Sequence, residues 1–170
     1  MPLKHPALQQ LSLLPYVTLD DARQTVAKAA YGKKGTVCPC CAQIAKVYTR
    51  KLNSALAQFL IWIVRSYEDN PRWIHIREFP MIQNRRGGGD FAKLVHYGLL
   101  EQRPNEDDKS KRTSGQWKPT QKANDFVHKR IKLPEYVQLY DNYVQGFATK
   151  EIDIEAALGQ QFDYQELMSR

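Results

Sequence analysis

The sequence holds all three of its cysteines in one short segment, Cys38-Pro39-Cys40-Cys41, which follows Gly35-Thr36-Val37. An isolated cluster in a reducing compartment does not indicate a disulfide framework. Cysteine thiolates bind zinc, and tetrahedral zinc takes four ligands. A redox pair is not favoured, because no thioredoxin-like βαβ pattern surrounds the segment. The segment is therefore a candidate metal site or a structural turn.

This segment resembles the Cys-Pro-x-Cys knuckle of zinc ribbons. The resemblance implies that Cys38 and Cys41 bind one Zn²⁺ ion from a tight turn between two strands. A zinc ribbon has a second cysteine pair, which this sequence lacks. The ligand set could be completed by Cys40, by the same pair of a second chain in a symmetric dimer, or by His5, His75, His96 or His128. The alternative is a hairpin of the same shape without metal, and the missing pair favours it.

Basic residues form a second candidate site around a predicted short helix that runs from Asp90 to Tyr97. Backbone N–H groups at its start could hold a phosphate, although the Asp90 carboxylate, predicted as the helix cap, would compete for them. Its apolar side would carry Phe91, Leu94 and Val95, while Lys93, His96 and Tyr97 would face outward. The candidate nucleic-acid-binding residues are Arg85, Arg86, Lys93, His96, Lys109, Lys111 and Arg112.

Catalytic patterns are scarce. The four histidines are scattered, and the sequence contains no Gly-x-Ser-x-Gly, His-Glu-x-x-His or paired-carboxylate pattern. Asp20-Asp21 fit the first turn of a helix, and Asp107-Asp108 fit a solvated loop. The sequence therefore predicts a protein that is not an enzyme.

Charge is distributed unevenly along the chain, whose net charge is +7. Residues 1–132 carry 23 Lys and Arg against 11 Asp and Glu, whereas residues 133–170 carry two against seven. A basic body with an acidic tail is typical of a polyanion-binding surface. The alternative is a modestly basic surface on which the tail packs.

The composition indicates a folded chain, since 42% of the 170 residues are hydrophobic and 11% are aromatic. The longest apolar run covers residues 59–64 and is too short for a membrane span, which needs about 18 residues or more. The first residues lack the pattern of a secretory signal. We therefore expect a cytoplasmic protein with no membrane partner.

Local patterns predict one α+β domain with three segments. Residues 1–52 hold an irregular arm, a helix capped by Thr18 and a Cys-bearing β-hairpin, and residues 133–170 form an acidic extension with a turn at Asp141-Asn142 and two short helices. Residues 53–132 begin with a central helix capped by Asn53-Ser54, followed by a strand at 73–76 and the 90–97 helix. Two strands, at 99–103 and 116–118, then flank a polar loop. A helix from Thr120 to about Lys132 ends the segment.

The middle segment resembles a winged helix-turn-helix in Leu94-x-x-Tyr97-Gly98-Leu99-Leu100, the long polar loop, Trp117-x-x-Thr120 and Phe126. The resemblance implies that residues 90–97 form a recognition helix for the DNA major groove and that the loop at 104–115 forms the wing. The acidic run at 106–108 weakens phosphate contacts at the wing tip. Winged helices also serve as dimerisation or protein-docking modules.

The whole chain looks like a family of small uncharacterised proteins from bacteriophages and mobile elements. The resemblance covers the Cys-Pro-Cys-Cys-Ala-Gln hairpin, where Ala42 replaces the family's usual glycine, Gly89 to Leu94, and Phe162 to Met168. It implies an origin and a fold. We expect a dimeric, double-stranded-DNA-binding regulator; the alternative is a protein–protein inhibitor or adaptor acting on a host complex. One basic face would favour DNA, and an exposed apolar patch would favour a protein partner.

Overall fold

The computed structural model describes residues 18–80, 88–106, 110 and 113–169. Helices and antiparallel strands both contribute, which confirms the predicted α+β class. None of the described helices is long and apolar enough to cross a membrane. The chain divides into two compact units: a small unit of residues 1–49 and 138–146, and a large unit of residues 50–137 and 147–170.

The described α-helices are α1 Leu19–Ala29, α2 Ser54–Asp69, α3 Gln121–Val127, α4 Ile154–Leu158 and α5 Tyr164–Ser169. Two 3₁₀ helices span Ile76–Glu78 and Gly88–Tyr97. The strands are β1 Thr36–Val37, β2 Ile44–Ala45, β3 Tyr48–Lys51, β4 Ile74–His75, β5 Leu100–Gln102, β6 Gln116–Pro119, β7 Leu133–Pro134, β8 Tyr136–Tyr140, β9 Tyr143–Phe147 and β10 Glu151–Ile152. They form sheets in the orders β1–β2, β10–β7, β3–β8–β9 and β4–β6–β5.

The small unit begins at the predicted helix cap. Thr18 Oγ1 accepts the Asp21 N–H at 3.2 Å, and the Asp21 carboxylate accepts the Thr18 N–H at 3.1 Å, so each residue satisfies a free donor of the other. The Val47 N–H donates to the Ala30 carbonyl at 2.8 Å and ties the hairpin region to the end of α1. Among the described residues of this unit, the buried apolar side chains are Ala22, Ala30, Ala45, Val47 and Leu139.

The large unit is built on α2, which confirms the predicted central helix. Asn53 caps it by accepting the Leu56 N–H at 3.1 Å. Phe59, Leu60 and Ile63 on α2 are fully buried. The Phe91 ring stacks on Phe59 with centroids 4.4 Å apart, so this aromatic contact fixes the 3₁₀ helix Gly88–Tyr97 against α2.

Trp117 lies at the centre of the β4–β6–β5 sheet, opposite Ile74 on β4 and Gln102 on β5. Its side chain is buried, at only 6% exposed. The strand order is compatible with a winged helix, in which the first strand pairs with the third. The winged-helix assignment itself stays a prediction.

One predicted element ends earlier than expected. The helix that begins at Thr120 was predicted to reach about Lys132, but α3 ends at Val127. Lys129 adopts a left-handed backbone with φ of 61°, and the Arg130 N–H donates to the Asp125 carbonyl at 2.7 Å. This Schellman closure stops the helix, with lysine where glycine is usual.

The two compact units cross the boundaries of the three predicted segments. Within the predicted acidic extension at 133–170, residues 138–146 belong to the small unit and the remainder to the large one. β7 pairs with β10 inside the large unit. The predicted turn and both terminal helices are present: Asp141 and Asn142 have positive φ angles, and α4 and α5 follow.

Candidate functional site

The cysteine segment forms a closed turn at the end of the β1–β2 hairpin. The Cys38 N–H donates to the Gln43 carbonyl at 2.7 Å, and the Ala42 N–H donates to the Cys38 carbonyl at 2.9 Å. Ala42 closes the turn with a φ of 59°, in the left-handed region that favours glycine. These two backbone bonds close the turn.

Gly35 allows the hairpin to form at its other end. Its φ is 71°, and a Cβ atom there would lie 2.5 Å from the Ala45 carbonyl oxygen and 2.8 Å from the Lys46 Cβ. Any larger residue would have to push the second strand away. The glycine thus fixes the close approach that brings the cysteine turn into shape.

The electrostatics of the turn favour a thiolate at Cys38. Backbone N–H groups of Cys40 and Cys41 donate to the Cys38 sulfur, and the Cys41 thiol adds a third bond, so the pKa of Cys38 is lowered. All three cysteines are free, and Cys40 and Cys41 are exposed. This arrangement fits half of a zinc site. Within the part of the chain that the structure describes, no group of three or more His, Cys, Asp or Glu could hold a metal ion.

Exposed apolar side chains concentrate in the small unit, which the sequence analysis did not predict. A groove of about 440 Å³ in this unit is lined mainly by apolar side chains of α1, with Cys38, Val47 and Tyr140. The apolar residues in and just after α1 could have indicated this groove from sequence: Val26, Ala30 and Tyr31. The large exposed hydrophobic residues of this unit are Leu19, Tyr31, Val37, Ile44, Tyr48, Tyr143 and Val144.

The predicted recognition helix differs in its geometry. It is a 3₁₀ helix, with about three residues per turn, so Phe91, Leu94 and Tyr97 share its buried side. The expectation that Tyr97 faces outward is wrong: it is 2% exposed, and its hydroxyl donates to the Arg50 carbonyl at 2.8 Å. Burial raises the pKa of Tyr97. Val95, predicted on the apolar side, is instead exposed.

The polar residues of this helix are also placed differently from the prediction. Asp90 lies inside the helix rather than at its cap, and its carboxylate pairs with the Lys93 ammonium. The Lys93 side chain is 22% exposed, and burial, together with the charge of Arg50, lowers its pKa. His96 is half-buried. Among residues 90–97, the exposed positions are Asp90, Ala92 and Val95, while Lys93 and His96 are only partly exposed.

The remaining predicted nucleic-acid-binding residues, Arg85, Arg86, Lys109, Lys111 and Arg112, lie outside the described residues. Most of the described Lys and Arg side chains in the large unit bind acceptors within it. Those with identified acceptors are Lys51, Arg65, Arg72, Lys93, Arg103, Lys118, Lys122, Lys129, Arg130 and Lys150. We infer that phosphate contacts would depend mainly on the two basic segments at 85–86 and 109–112.

Comparison with known proteins gives no match. The chain is not significantly similar to any protein family, curated protein or solved structure. The resemblances to winged helices and to the phage family therefore stay predictions. Function has to be argued from the residues themselves.

Proposed function

We propose that this chain is a non-enzymatic double-stranded-DNA-binding protein of a bacteriophage or mobile element, acting in the host cytoplasm, whose affinity comes mainly from phosphate contacts. The observation that carries the proposal is the β4–β6–β5 sheet, against which the 3₁₀ helix Gly88–Tyr97 packs and whose β5–β6 connection carries Lys109, Lys111 and Arg112 after the acidic run at 106–108. A helix flanked by a hairpin with these cations suits a duplex, because the hairpin can reach the neighbouring phosphates.

The base of the β5–β6 connection is well fixed. The Arg103 N–H donates to the Gln116 carbonyl at 3.0 Å, and the Arg103 guanidinium donates to the Gln116 side chain at 2.7 Å. Ser114 Oγ donates to the Arg103 carbonyl at 2.7 Å. The connection that carries Lys109, Lys111 and Arg112 thus starts from a rigid support, which reduces the entropy lost when its cations meet phosphates.

The 3₁₀ helix Gly88–Tyr97 has few outward side chains that could recognise DNA bases directly. Ala92 and Val95 on its outward side have no side-chain hydrogen-bond donors or acceptors, so they offer only apolar contact to thymine methyl groups. Asp90 is negatively charged and would be repelled by phosphates. We therefore expect strongly salt-dependent binding with weak sequence preference.

The test is fluorescence anisotropy with a mixed-sequence duplex at several salt concentrations. We expect Arg85→Ala with Arg86→Ala, and separately Lys111→Ala with Arg112→Ala, to weaken binding and to reduce the log–log salt slope by up to about two units each. Lys33→Ala with Lys34→Ala is the matched control, because it removes the same charge from the small unit, where both lysines are exposed.

Three outcomes would count against the proposal. A parent protein that fails to bind duplex DNA at low salt overturns it. An equal loss in all three double variants means that net charge acts without a defined site. A salt slope that matches the parent removes the altered pair from the interface.

A second candidate is a protein–protein inhibitor or adaptor that acts on a host complex. It is favoured by β9, an edge strand of the β3–β8–β9 sheet, on which Tyr143 is 72% and Val144 is 42% exposed. Exposed apolar edge strands can pair with a strand of another protein. The double variant Tyr143→Ser with Val144→Ser should then abolish binding to the host complex. The salt slope of DNA binding should stay unchanged.

A further inference from the structure

We propose that Cys38 and Cys41 form half of a Zn²⁺ site that is completed by the same two cysteines of a second copy of this chain. The proposal does not depend on DNA binding, since it concerns the small unit only. Of the ligand sets that the sequence leaves open, we select the symmetric one, with two cysteines from each of two chains.

The cysteine turn places two free thiols, Cys38 and Cys41, three residues apart in one closed conformation. The Cys38 N–H donates to the Gln43 carbonyl at 2.7 Å and the Ala42 N–H donates to the Cys38 carbonyl at 2.9 Å, so the backbone between the two cysteines is held in place. Cys41 is exposed and Cys38 is partly exposed, so both thiols can be reached by a second chain.

One copy does not supply enough ligands. Structural zinc takes four, and the described residues contain no group of three or more metal-binding side chains. In a dimer whose two-fold axis passes through the ion, the second chain would supply its own Cys38 and Cys41. The four sulfurs would then form a tetrahedral set, which is typical of zinc. Each thiol would release its proton to solvent as it binds.

The surface beside the turn suits a second copy. Val37 and Ile44 are opposite one another in the β1–β2 register and share one face of the hairpin. They are 39% and 71% exposed, whereas Ala45, on the opposite face, is buried. A two-fold contact at the cysteine turn would bring these apolar pairs of both copies together and remove them from water.

The test uses the full chain, produced with zinc in the medium and purified without chelator. We expect one zinc ion per two chains by elemental analysis and a dimer by light scattering. A chelator should release the zinc and yield a monomer, and added Zn²⁺ should restore the dimer. Co²⁺ in place of zinc should give the visible absorption of a tetrahedral thiolate site.

Variants separate the two ligands from their neighbour. Cys38→Ser and Cys41→Ser should each lower the zinc content at least tenfold and abolish the dimer. Cys40→Ser is the matched control in the same turn and should retain both. Circular dichroism of the chelated parent provides the folding reference, so loss of zinc can be distinguished from loss of structure.

Several results would overturn the proposal: one zinc ion per monomer, a dimer that persists unchanged without metal, a chain that takes up no zinc, or equal zinc loss in Cys40→Ser and Cys41→Ser. Zinc loss in His5→Ala would also overturn it, because the missing ligand would then come from the same chain. Failure of DNA binding in the anisotropy experiment would leave these metal measurements unaffected.

Discussion

Ala42 holds a backbone conformation that alanine rarely adopts. Its φ of 59° is left-handed, and the Cβ atom then crowds the following carbonyl at a cost of about 1–2 kcal/mol. The residue is kept there by the bond from its N–H to the Cys38 carbonyl. The cysteine turn therefore stores strain at the position where the resembling family carries glycine.

Replacing this alanine should relieve the strain. Ala42→Gly should stabilise the turn by about 0.5–1 kcal/mol, because the strain that is removed exceeds the extra flexibility that glycine gives the unfolded chain. The measurement is hydrogen exchange at the Cys38 amide in the presence of chelator, which should slow. Ala27→Gly, an exposed helical position, is the control and should destabilise α1 by about 1 kcal/mol. Faster exchange in Ala42→Gly would contradict the prediction.

The Glu78 carboxylate leads to a prediction about how the stability of the fold depends on pH. Hydrogen bonds from Arg72 and then from the His75 N–H lower its pKa to about 2, from about 4.5 for a free side chain. The folded state thus binds the Glu78 proton less tightly than the unfolded state does. The stability from this carboxylate is therefore complete above about pH 4.5 and is lost as the pH falls to about 2.

Arg72→Gln should raise the pKa of Glu78 towards its ordinary value, as measured by NMR titration of the carboxyl carbon. The gain in stability should be small, because both side chains are about 40% exposed. Lys118→Gln is a control, since its partner is Glu101 and not Glu78. An unchanged Glu78 titration in Arg72→Gln would show that the His75 N–H alone holds the pKa down.

Helix starts could be predicted because they are set locally. Thr18, Asn53 and Thr120 each accept a backbone N–H three residues later, as their types and positions predicted. The type of helix at Gly88–Tyr97 could not be predicted, because the spacing of apolar residues alone does not distinguish three residues per turn from 3.6. Packing on Phe59 and the Arg50 carbonyl selects the tighter helix and exchanges the places of Val95 and Tyr97.

The candidate sites show the same limit. The cysteine turn could be predicted from residues 35–42, since their types and order specify a hairpin. The sequence shows that a second cysteine pair is missing, but it could not show whether a histidine joins the cysteines; the described residues hold no group of three or more metal-binding side chains. The exposed apolar side chains of the small unit were missed because they are scattered over α1, β1, β2, β3, β9 and the residues after α1, and no single segment shows the pattern.

Trp117 gives the prediction for the β4–β6–β5 sheet. It is buried on the central strand of the sheet, with Ile74 and Gln102 as register partners, so Trp117→Ala should cost about 3–5 kcal/mol of unfolding free energy. Loosening of the β5–β6 hairpin should also weaken DNA binding. The measurements are chemical denaturation and duplex anisotropy.

Trp73→Ala is the matched control for this change. Trp73 is only half-buried and contacts the Lys118 ammonium at 5.1 Å from its ring centroid, so its loss should cost clearly less. A nearly neutral Trp117→Ala would contradict the winged-helix interpretation, because the sheet would then not need its central side chain.

At the scale of the molecule, the two units differ in the core that supports them. Among its described residues, the small unit buries three alanines, one valine and one leucine, whereas α2 alone buries Phe59, Leu60 and Ile63 completely. Apolar burial contributes about 25 cal/mol per Å², so residues 18–49 and 138–146 have much less to offset their conformational entropy. A unit of this kind opens at lower free energy than the part that holds the main core.

Hydrogen exchange of the full chain, followed by NMR in the presence of chelator, should show this difference. Amides in the middle of α2 should be the most protected. The Val47 and Cys38 amides, both hydrogen-bonded within the small unit, should exchange at least tenfold faster after correction for intrinsic rates. Equal protection in both units would contradict the prediction and would mean that the chain unfolds as one cooperative body. If the proposed zinc site forms, added Zn²⁺ should slow exchange selectively in the small unit, because Cys38 and Cys41 lie there and binding stabilises only the state that holds them together.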